Sequence, residues 1–273
     1  MKYVFGHSER ELRRLADQAV VIAPITRQLL VDAGISPGMH VLDIGTGRGD
    51  VAFIAADVVG DDGKVVGVDR APEALDVARE RAAARPVRNV SFEEGDLAEL
   101  SFDAPFDALI GRYVLEFQPS PAETLARLVR CVRPGGIVAF HELDWTGFRS
   151  VPPVAIWDRC CELVLEEVSA TGADVAVGAK LPSIFAAAGI PSPSMRMTAQ
   201  VGAGAASEEV AHRMAGLVRT VLPSLEERGR VSRGELDPDS LAAQIVDEAA
   251  AAASAVVGWS EVLAWSRVEH RGS

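Results

Sequence analysis

Cysteine is scarce in this 273-residue sequence, and long apolar runs are absent. The three cysteines, Cys131, Cys160 and Cys161, form no C-x-x-C pair, and no His/Cys cluster has the spacing of a zinc site. We therefore expect no metal, and so few cysteines favour a reducing, cytoplasmic location. No stretch approaches the ~18 apolar residues that a membrane span needs, so we expect no membrane partner. The charged N-terminal stretch lacks the apolar segment of a signal peptide.

Positive charge is also in short supply. Lysine and arginine number 27 against 39 aspartates and glutamates, which gives a formal net charge of −12. Because an acidic chain repels phosphate backbones, we expect no nucleic-acid partner. Hydrophobic residues still make up 48% of the chain, which is enough for one large domain with a sizeable core.

The middle of the chain alternates between short apolar runs and helical patterns. The runs predict strands over residues 41–44, 64–69, 89–93, 106–110 and 137–141. Strands that alternate with helices predict a parallel sheet with right-handed crossovers. Because the runs are continuously apolar, we expect helices to cover both faces of that sheet.

The two ends of the chain depart from this alternation. Ser8 and Glu11 form a capping box that predicts an N-terminal helix, and Pro24 is expected to break or kink it. Beyond residue 145 the pattern predicts long helices and two further strands. The helices are expected over 154–169, 181–188 and 239–256 and from 207 to an interruption near Pro223, and the strands over 194–201 and 261–268.

A glycine loop follows the first strand. The segment DIGTGRG, residues 43–49, lies between a predicted strand and a predicted helix. Glycines there let the backbone turn sharply and approach a ligand, and the helix start offers free N–H groups. The spacing is G-x-G-x-G, whereas a dinucleotide fingerprint reads G-x-G-x-x-G. Asp43, directly before the loop, would repel a pyrophosphate but suits an ammonium group.

Two further carboxylates follow the second and third strands. Asp69 comes 24 residues after Gly45, where it can accept both hydroxyls of a ribose. Nicotinamide-binding proteins share this feature, so Asp69 alone does not show which nucleoside cofactor is bound. Asp96, within the segment EEGDLAEL, can accept from an adenine amino group.

The segment from about residue 39 to 144 resembles the core of class I S-adenosylmethionine (SAM)-dependent methyltransferases, of the bacterial small-molecule type. VLDIGTGRG resembles the first motif of that family, VVGVD its acidic ribose loop and EEGDLAEL its adenine loop. FDALIGRYVLEF resembles the fourth strand with the helix after it, and VRPGGIVAF the turn before the fifth strand. The opening YVFGHSERELRRLADQA resembles the family's lid segment.

The resemblance implies an α/β fold: a doubly wound, mostly parallel, Rossmann-like sheet of seven strands with the last one antiparallel, plus helical lid and insert elements. One domain would span residues 1–273, with a lid at 1–34, a cofactor-binding core at 35–145 and substrate-side elements at 146–273. The lid would contain Tyr3 and His7, and Gln18 on the first helix could reach the methionine carboxyl region.

The resemblance also assigns residues to the cofactor SAM and its product S-adenosylhomocysteine. Asp43 would face the ammonium group, Asp69 would hold the ribose and Arg112 would lie beside the methionine. Thr46 replaces the cysteine or glycine that is frequent at its position. The full set of expected cofactor residues is Asp43, Gly45, Thr46, Gly47, Asp69, Arg70, Gly95, Asp96, Leu97 and Arg112.

Candidate catalytic groups come at the end of the fifth strand, because ligands of open α/β sheets bind at the carboxyl ends of the strands. Methyl transfer from a sulfonium is an in-line displacement, so alignment and exclusion of water can supply much of the catalysis. An oxygen or nitrogen acceptor can also need a base. His141 is the first candidate because histidine titrates near neutrality, and Glu142 is the second. Tyr113 and Glu116 could orient a substrate.

We expect the acceptor to be a small organic molecule, such as a secondary metabolite, that offers an oxygen, nitrogen or carbon nucleophile. The sequence leaves room for a homodimer. One alternative is a SAM-fold protein that catalyses a cyclisation or rearrangement, since its cofactor motifs would look the same. The other is an NAD(P)-dependent oxidoreductase, which predicts G-x-G-x-x-G and a catalytic Tyr-x-x-x-Lys pair, and neither pattern is present.

Overall fold

A computed structural model of the chain describes residues 9–102 and 104–269, with side chains from residue 21 onward except that of residue 205. This part of the chain contains eight α-helices and eight strands, which alternate from β1 to β3. The helices are α1 Glu9–Ala33, α2 Asp50–Val59, α3 Pro72–Ala83, α4 Pro121–Leu128, α5 Ala155–Ala170, α6 Val177–Ala187, α7 Glu208–Glu227 and α8 Leu241–Ala251. The strands are β1 His40–Ile44, β2 Lys64–Asp69, β3 Val90–Glu94, β4 Phe106–Arg112, β5 Val132–Asp144, β6 Arg149–Val151, β7 Ser194–Ala203 and β8 Ala255–Arg267.

All eight strands belong to one sheet of order β3-β2-β1-β4-β5-β8-β6, with β7 paired to β8. Strands β1 to β5 pair in parallel, and β8 pairs antiparallel with β6. The predicted fold class, a mostly parallel sheet with an antiparallel last strand, is confirmed. The expected count of seven strands was one too low because β6 is only three residues long and has no apolar pattern of its own.

The chain divides into two compact units, each made of three separate stretches. Among the described residues, the sheet unit comprises 18–102 with 104–142, 177–196 and 262–269. Its strands bury side chains on both faces: Val41 and Ile137 belong to one apolar core, whereas Leu42, Val138 and Phe140 belong to another. Alternate strand residues point to opposite faces, so this division is what helices on both sides of a sheet require.

Among the described residues, the helical unit comprises 9–17, 143–176 and 197–261. It contains α5, α7 and α8, as expected for the segment beyond residue 145. Trp157 and Trp259 lie with Trp145 and Phe148 in a buried aromatic cluster, with ring centroids 5.6–6.3 Å apart. These aromatic side chains therefore form part of the core of the unit, together with aliphatic side chains such as Leu163 and Leu217. The expectation of one domain over residues 1–273 stays a prediction.

Two prolines predicted to interrupt helices do not end them. Helix α1 runs through Pro24 and α7 runs through Pro223. Proline removes one N–H donor from a helix, and burial of apolar side chains such as Leu29 and Leu30 offsets that loss. Helix α8 is shorter than predicted because residues from 255 onward enter β8. The capping serine, Ser8, lies outside the described residues.

No helix in the described part of the chain is both long enough and apolar enough to cross a membrane.

Candidate cofactor and catalytic site

The glycine loop joins β1 to α2 and turns by means of left-handed glycines. Gly45, Gly47 and Gly49 have φ angles of 61°, 53° and 82°, which residues with a side chain rarely adopt. A Cβ on Gly45 would lie 2.6 Å from Cγ2 of Val114, whereas a Cβ on Gly47 would meet no atom within 4 Å. The loop is therefore packed tightly at its start and open at Gly47, where a ligand can approach the backbone.

Asp69 holds this loop in place. One carboxylate oxygen accepts the Gly47 N–H at 2.8 Å, and the other accepts the Ala71 N–H at 3.0 Å. The side chain is half-buried at the end of β2. Because each carboxylate oxygen can accept more than one hydrogen bond, Asp69 can hold the loop and still accept from a ligand hydroxyl.

Asp43 is a buried acid at the end of β1, only 1% exposed. Its Oδ2 accepts the Thr46 hydroxyl at 2.6 Å, and its Oδ1 has no hydrogen-bond partner among the described residues. Burial raises the pKa of Asp43 to about 7, against the lowering effects of the Thr46 hydrogen bond, the Arg112 charge and, most weakly, the Ala52 N–H. A buried carboxyl with one unsatisfied oxygen suits a cationic ligand group.

Arg112 ends β4, the neighbour of β1 in the sheet. Its Nη1 donates to Oγ1 of Thr26 at 3.1 Å, and its guanidinium carbon lies 5.7 Å from the centroid of the Tyr113 ring. No carboxylate in the described part of the chain forms a salt bridge with it. The other N–H groups of this guanidinium can bind an anion, because two parallel N–H groups of an arginine match the two oxygens of a carboxylate.

The expected adenine segment follows β3, beside the end of β2. The Gly95 N–H donates to the backbone oxygen of Asp69 at 3.0 Å, and the exposed Asp96 accepts the Ala98 N–H at 2.8 Å. Leu97 is half-buried and Arg70 is exposed. The fold thus brings Gly95 next to Asp69, which the sequence alone placed 26 residues apart.

His141 lies in β5 opposite Arg112 of β4. Its ring is fully buried, at 0% exposure, and Nδ1 lies 3.0 Å from Oγ1 of Thr26. The Tyr113 ring is near, with centroids 5.4 Å apart, and the Tyr113 N–H donates to the His141 backbone oxygen at 2.9 Å. An acceptor can therefore contact this imidazole only if some of the side chains that bury it move aside.

Glu142 is also fully buried, at 0% exposure. Its Oε1 accepts the N–H groups of Val114 and Leu115, both at 3.0 Å, while Oε2 has no partner among the described residues. Burial, and then the nearby Glu116 carboxylate, raise the pKa of Glu142 to about 8, although backbone N–H groups oppose this. The carboxyl anchors the turn after β4, where Tyr113 has a left-handed φ of 57°.

Two roles in this site were not foreseen from the sequence. Thr26 joins Arg112 to His141, yet a single threonine inside a helix carries no signal of such a contact. The anchoring by Glu142 was missed as well, because backbone hydrogen bonds between distant segments leave no local pattern. Tyr3, His7 and the side chain of Gln18 lie outside the described residues. No cluster of three or more metal-ligating side chains occurs within the described part.

Comparisons with known proteins show which family and which fold this chain shares. A family model described as a methyltransferase domain matches residues 35–178, more than half of the chain. The chain is 38% identical over 115 residues to arsenite methyltransferase from Halobacterium salinarum, covering 42% of this chain and 29% of that protein. It is 39% identical over 118 residues to aklanonic acid methyltransferase from a Streptomyces species, covering 43% of this chain and 54% of that protein. The chain therefore spans less than two thirds of the length of these curated relatives.

The fold is also similar to a solved structure. Phosphoethanolamine N-methyltransferase 2 from Haemonchus contortus, solved with phosphomonomethylethanolamine and S-adenosylhomocysteine, superposes with a TM-score of 0.57 at 18% identity. The match covers 90% of this chain and 53% of that one. At this identity the likeness establishes a shared fold.

Proposed function

This chain belongs to the family of SAM-dependent methyltransferases with the class I fold, and on that basis we propose that it methylates a small organic acceptor. Oxygen and nitrogen are the favoured acceptor atoms, with carbon as a third choice. The names of two relatives, an arsenite and an aklanonic acid methyltransferase, support a small acceptor. The net charge of −12 supports it too, because it disfavours nucleic acid.

The observation that carries the cofactor assignment is a pair of opposite charges at neighbouring strand ends. We assign the unpartnered oxygen of Asp43 to the ammonium group of the cofactor's amino-acid end, and the guanidinium of Arg112 to its carboxylate. A nicotinamide dinucleotide has no ammonium and carboxylate side by side, and its pyrophosphate would be repelled by Asp43. The residues present therefore fit SAM better than NAD.

The remaining cofactor residues divide between the methionine and the nucleoside. Gly45, Thr46 and Gly47 would line the methionine and the ribose, where Gly47 leaves open space. Asp69 would accept from the ribose hydroxyls. Arg70, Gly95, Asp96 and Leu97 would surround the adenine.

When bound, SAM supplies a methyl group on a positively charged sulfur. The chain's contribution is to hold the acceptor in line with that group and to exclude water. For an acceptor that must lose a proton, we propose His141 as the base and Glu142 as the second candidate. Alignment carries the larger part of the catalysis in this proposal, since both side chains lie beneath the surface.

Calorimetry tests the cofactor assignment. We expect binding of SAM and S-adenosylhomocysteine, and none of NAD. Replacement Asp69→Ala should weaken SAM binding by ~1.5–3 kcal/mol, the usual contribution of a hydrogen bond to a charged group. Unchanged affinity in that variant, or tighter binding of NAD than of SAM, would remove the basis of the assignment.

Product analysis tests the acceptor class. Incubation with labelled SAM and a panel of small hydroxyl and amine compounds should yield a methylated product seen by mass spectrometry. More efficient methylation of RNA or protein would overturn the class of acceptor. Consumption of an acceptor without any transfer of label, to an isomer of equal mass, would instead favour the cyclisation or rearrangement alternative.

A further inference from the structure

Thr26 links α1 to the ends of two strands. Its side chain is 1% exposed, and its hydroxyl oxygen lies 3.1 Å from Nη1 of Arg112 and 3.0 Å from Nδ1 of His141. Arg112 and His141 are register partners across β4 and β5. One buried hydroxyl therefore touches both the proposed carboxylate ligand and the proposed base.

The donors and acceptors at this hydroxyl can be assigned. A guanidinium can only donate, so Thr26 Oγ1 accepts from Arg112. Its own hydrogen goes to the Ile22 backbone oxygen at 3.4 Å, and the oxygen also accepts from His141 Nδ1–H at 3.0 Å. His141 then carries its proton on Nδ1, so its other ring nitrogen, Nε2, has the lone pair that a base requires.

The orientation of Arg112 depends on this contact. Within the described part of the chain, Thr26 is its hydrogen-bond partner, and no carboxylate forms a salt bridge with it. Arginine side chains have several rotatable bonds, so an arginine without a fixed partner loses conformational entropy when it binds a ligand. A buried hydroxyl that already holds the guanidinium reduces that loss.

We propose that Thr26 is a positioning residue of the cofactor site. Its hydroxyl holds the Arg112 guanidinium at the end of β4, where the guanidinium meets the carboxylate at the amino-acid end of the cofactor. It also selects the Nδ1–H form of His141. This inference rests on the proposed function in one respect only, the placement of the cofactor's carboxylate at Arg112.

Binding of S-adenosylhomocysteine to matched variants tests the proposal. Thr26→Val keeps the shape of the side chain and removes the hydroxyl, and it should weaken binding roughly tenfold by calorimetry. Thr26→Ser keeps the hydroxyl and should bind within about twofold of the wild type. In the background Arg112→Gln, adding Thr26→Val should cause no further loss, because the guanidinium that Thr26 holds is gone.

A second measurement serves even if Thr26→Val folds poorly. Nitrogen-15 spectra of the unliganded wild type and of Thr26→Ser should show His141 with its proton on Nδ1, and Thr26→Ala should show a mixture of forms. His141→Gln identifies the signals among the five histidines.

Two outcomes would overturn the proposal: wild-type affinity in Thr26→Val, or an equal loss with and without Arg112. The Nε2–H form of His141 in the wild type would overturn the proton assignment. These results differ from a failure of the proposed function, in which the wild type binds S-adenosylhomocysteine with the expected Thr26 dependence yet methylates no small acceptor.

Discussion

Asp43 in β1 and Glu142 in β5 are both buried carboxyl groups near the carboxyl ends of parallel strands. Each has one bonded oxygen and one oxygen without a partner among the described residues. Burial raises both pKa values, to about 7 for Asp43 and about 8 for Glu142. Their neighbours differ: the charge of Arg112 favours an ionised Asp43, whereas the charge of Glu116 disfavours an ionised Glu142.

The difference shows that burial alone does not define a catalytic acid. Oδ2 of Asp43 accepts the Thr46 hydroxyl, and a cationic ligand can satisfy the unpartnered Oδ1. Oε1 of Glu142 accepts two backbone N–H groups, and these hydrogen bonds fix the turn that contains Tyr113. The first acid is suited to ligand binding, and the second supports the shape of the site.

The largest expected effect separates His141 from Glu142. If His141 takes the acceptor's proton, His141→Ala should lower turnover by about 10²–10⁴-fold with nearly intact affinity for SAM. Glu142→Gln should keep most of the turnover, because the amide oxygen can accept the same two N–H groups and the acid is largely neutral near pH 7. Steady-state kinetics with calorimetry on both variants makes the measurement.

The opposite result would reverse the roles. Loss of turnover in Glu142→Gln with full activity in His141→Ala would make Glu142 the base. Full activity in both variants would leave alignment as the whole mechanism, and the proposal of a base would be dropped.

The next largest effect is expected on stability, from substitutions in the glycine loop. Gly45 packs against Val114, whose N–H donates to Glu142, so the loop after β1 contacts the turn after β4. Gly45→Ala should destabilise the protein by ~2–4 kcal/mol, because it combines a left-handed backbone with a clash against Val114. Gly47→Ala should cost only ~1–2 kcal/mol, from backbone strain alone, because its Cβ would enter open space. Urea denaturation of the two unliganded variants measures the difference. Equal losses would show that Gly45 is not packed against the turn that Glu142 anchors.

Removal of the charge on Asp43 tests whether this acid, unlike Glu142, binds the ligand. Asp43→Asn should weaken SAM binding by ~1.5–3 kcal/mol, since an amide cannot match a carboxylate as partner for an ammonium group. Thr46→Val is the matched control, because it removes the hydrogen bond to Asp43 and keeps the acid. If Asp43→Asn binds SAM like the wild type, Asp43 is a structural acid of the same kind as Glu142.

Much of the sheet unit was predictable from the sequence because its signals are local. The glycine loop, the acids that follow β2 and β3 and the continuous apolar strands each occupy a few consecutive residues. Such patterns report the backbone conformation directly. Asp69 lies next to the glycine loop and accepts the Gly47 N–H. Its contact with a ribose stays a prediction.

The contacts that join distant segments could not be predicted. Thr26 and His141 are 115 residues apart, and the carboxyl of Glu142 meets backbone groups 27 and 28 residues away. Neither contact has a sequence period or a local motif. The continuation of α1 through Pro24 could not be predicted either, because burial of the helix outweighed the tendency of proline to end helices.

The smallest expected effect is the pH dependence that Asp43 confers. The pKa of Asp43 is raised from an ordinary value of 3.8 to about 7 in the folded, unliganded protein. An ammonium group favours the ionised acid, so SAM affinity should rise with pH up to about 7 and then level off. The rise between pH 6 and 7 should be a few-fold and no more than about tenfold, because one proton is released on binding.

Stability of the unliganded protein should change in the opposite direction. The folded state holds the Asp43 proton more tightly than the unfolded chain, so the contribution of this acid to stability falls as pH rises from about 4 to about 7. Asp43→Asn should flatten both profiles, whereas Glu142→Gln should flatten only the stability profile, at pH values up to about 8. Calorimetric titrations and urea denaturation at pH 5.5, 6.5 and 7.5 measure the two together. A binding profile that stays steep in Asp43→Asn would assign the titration to another group and remove the distinction between the two acids.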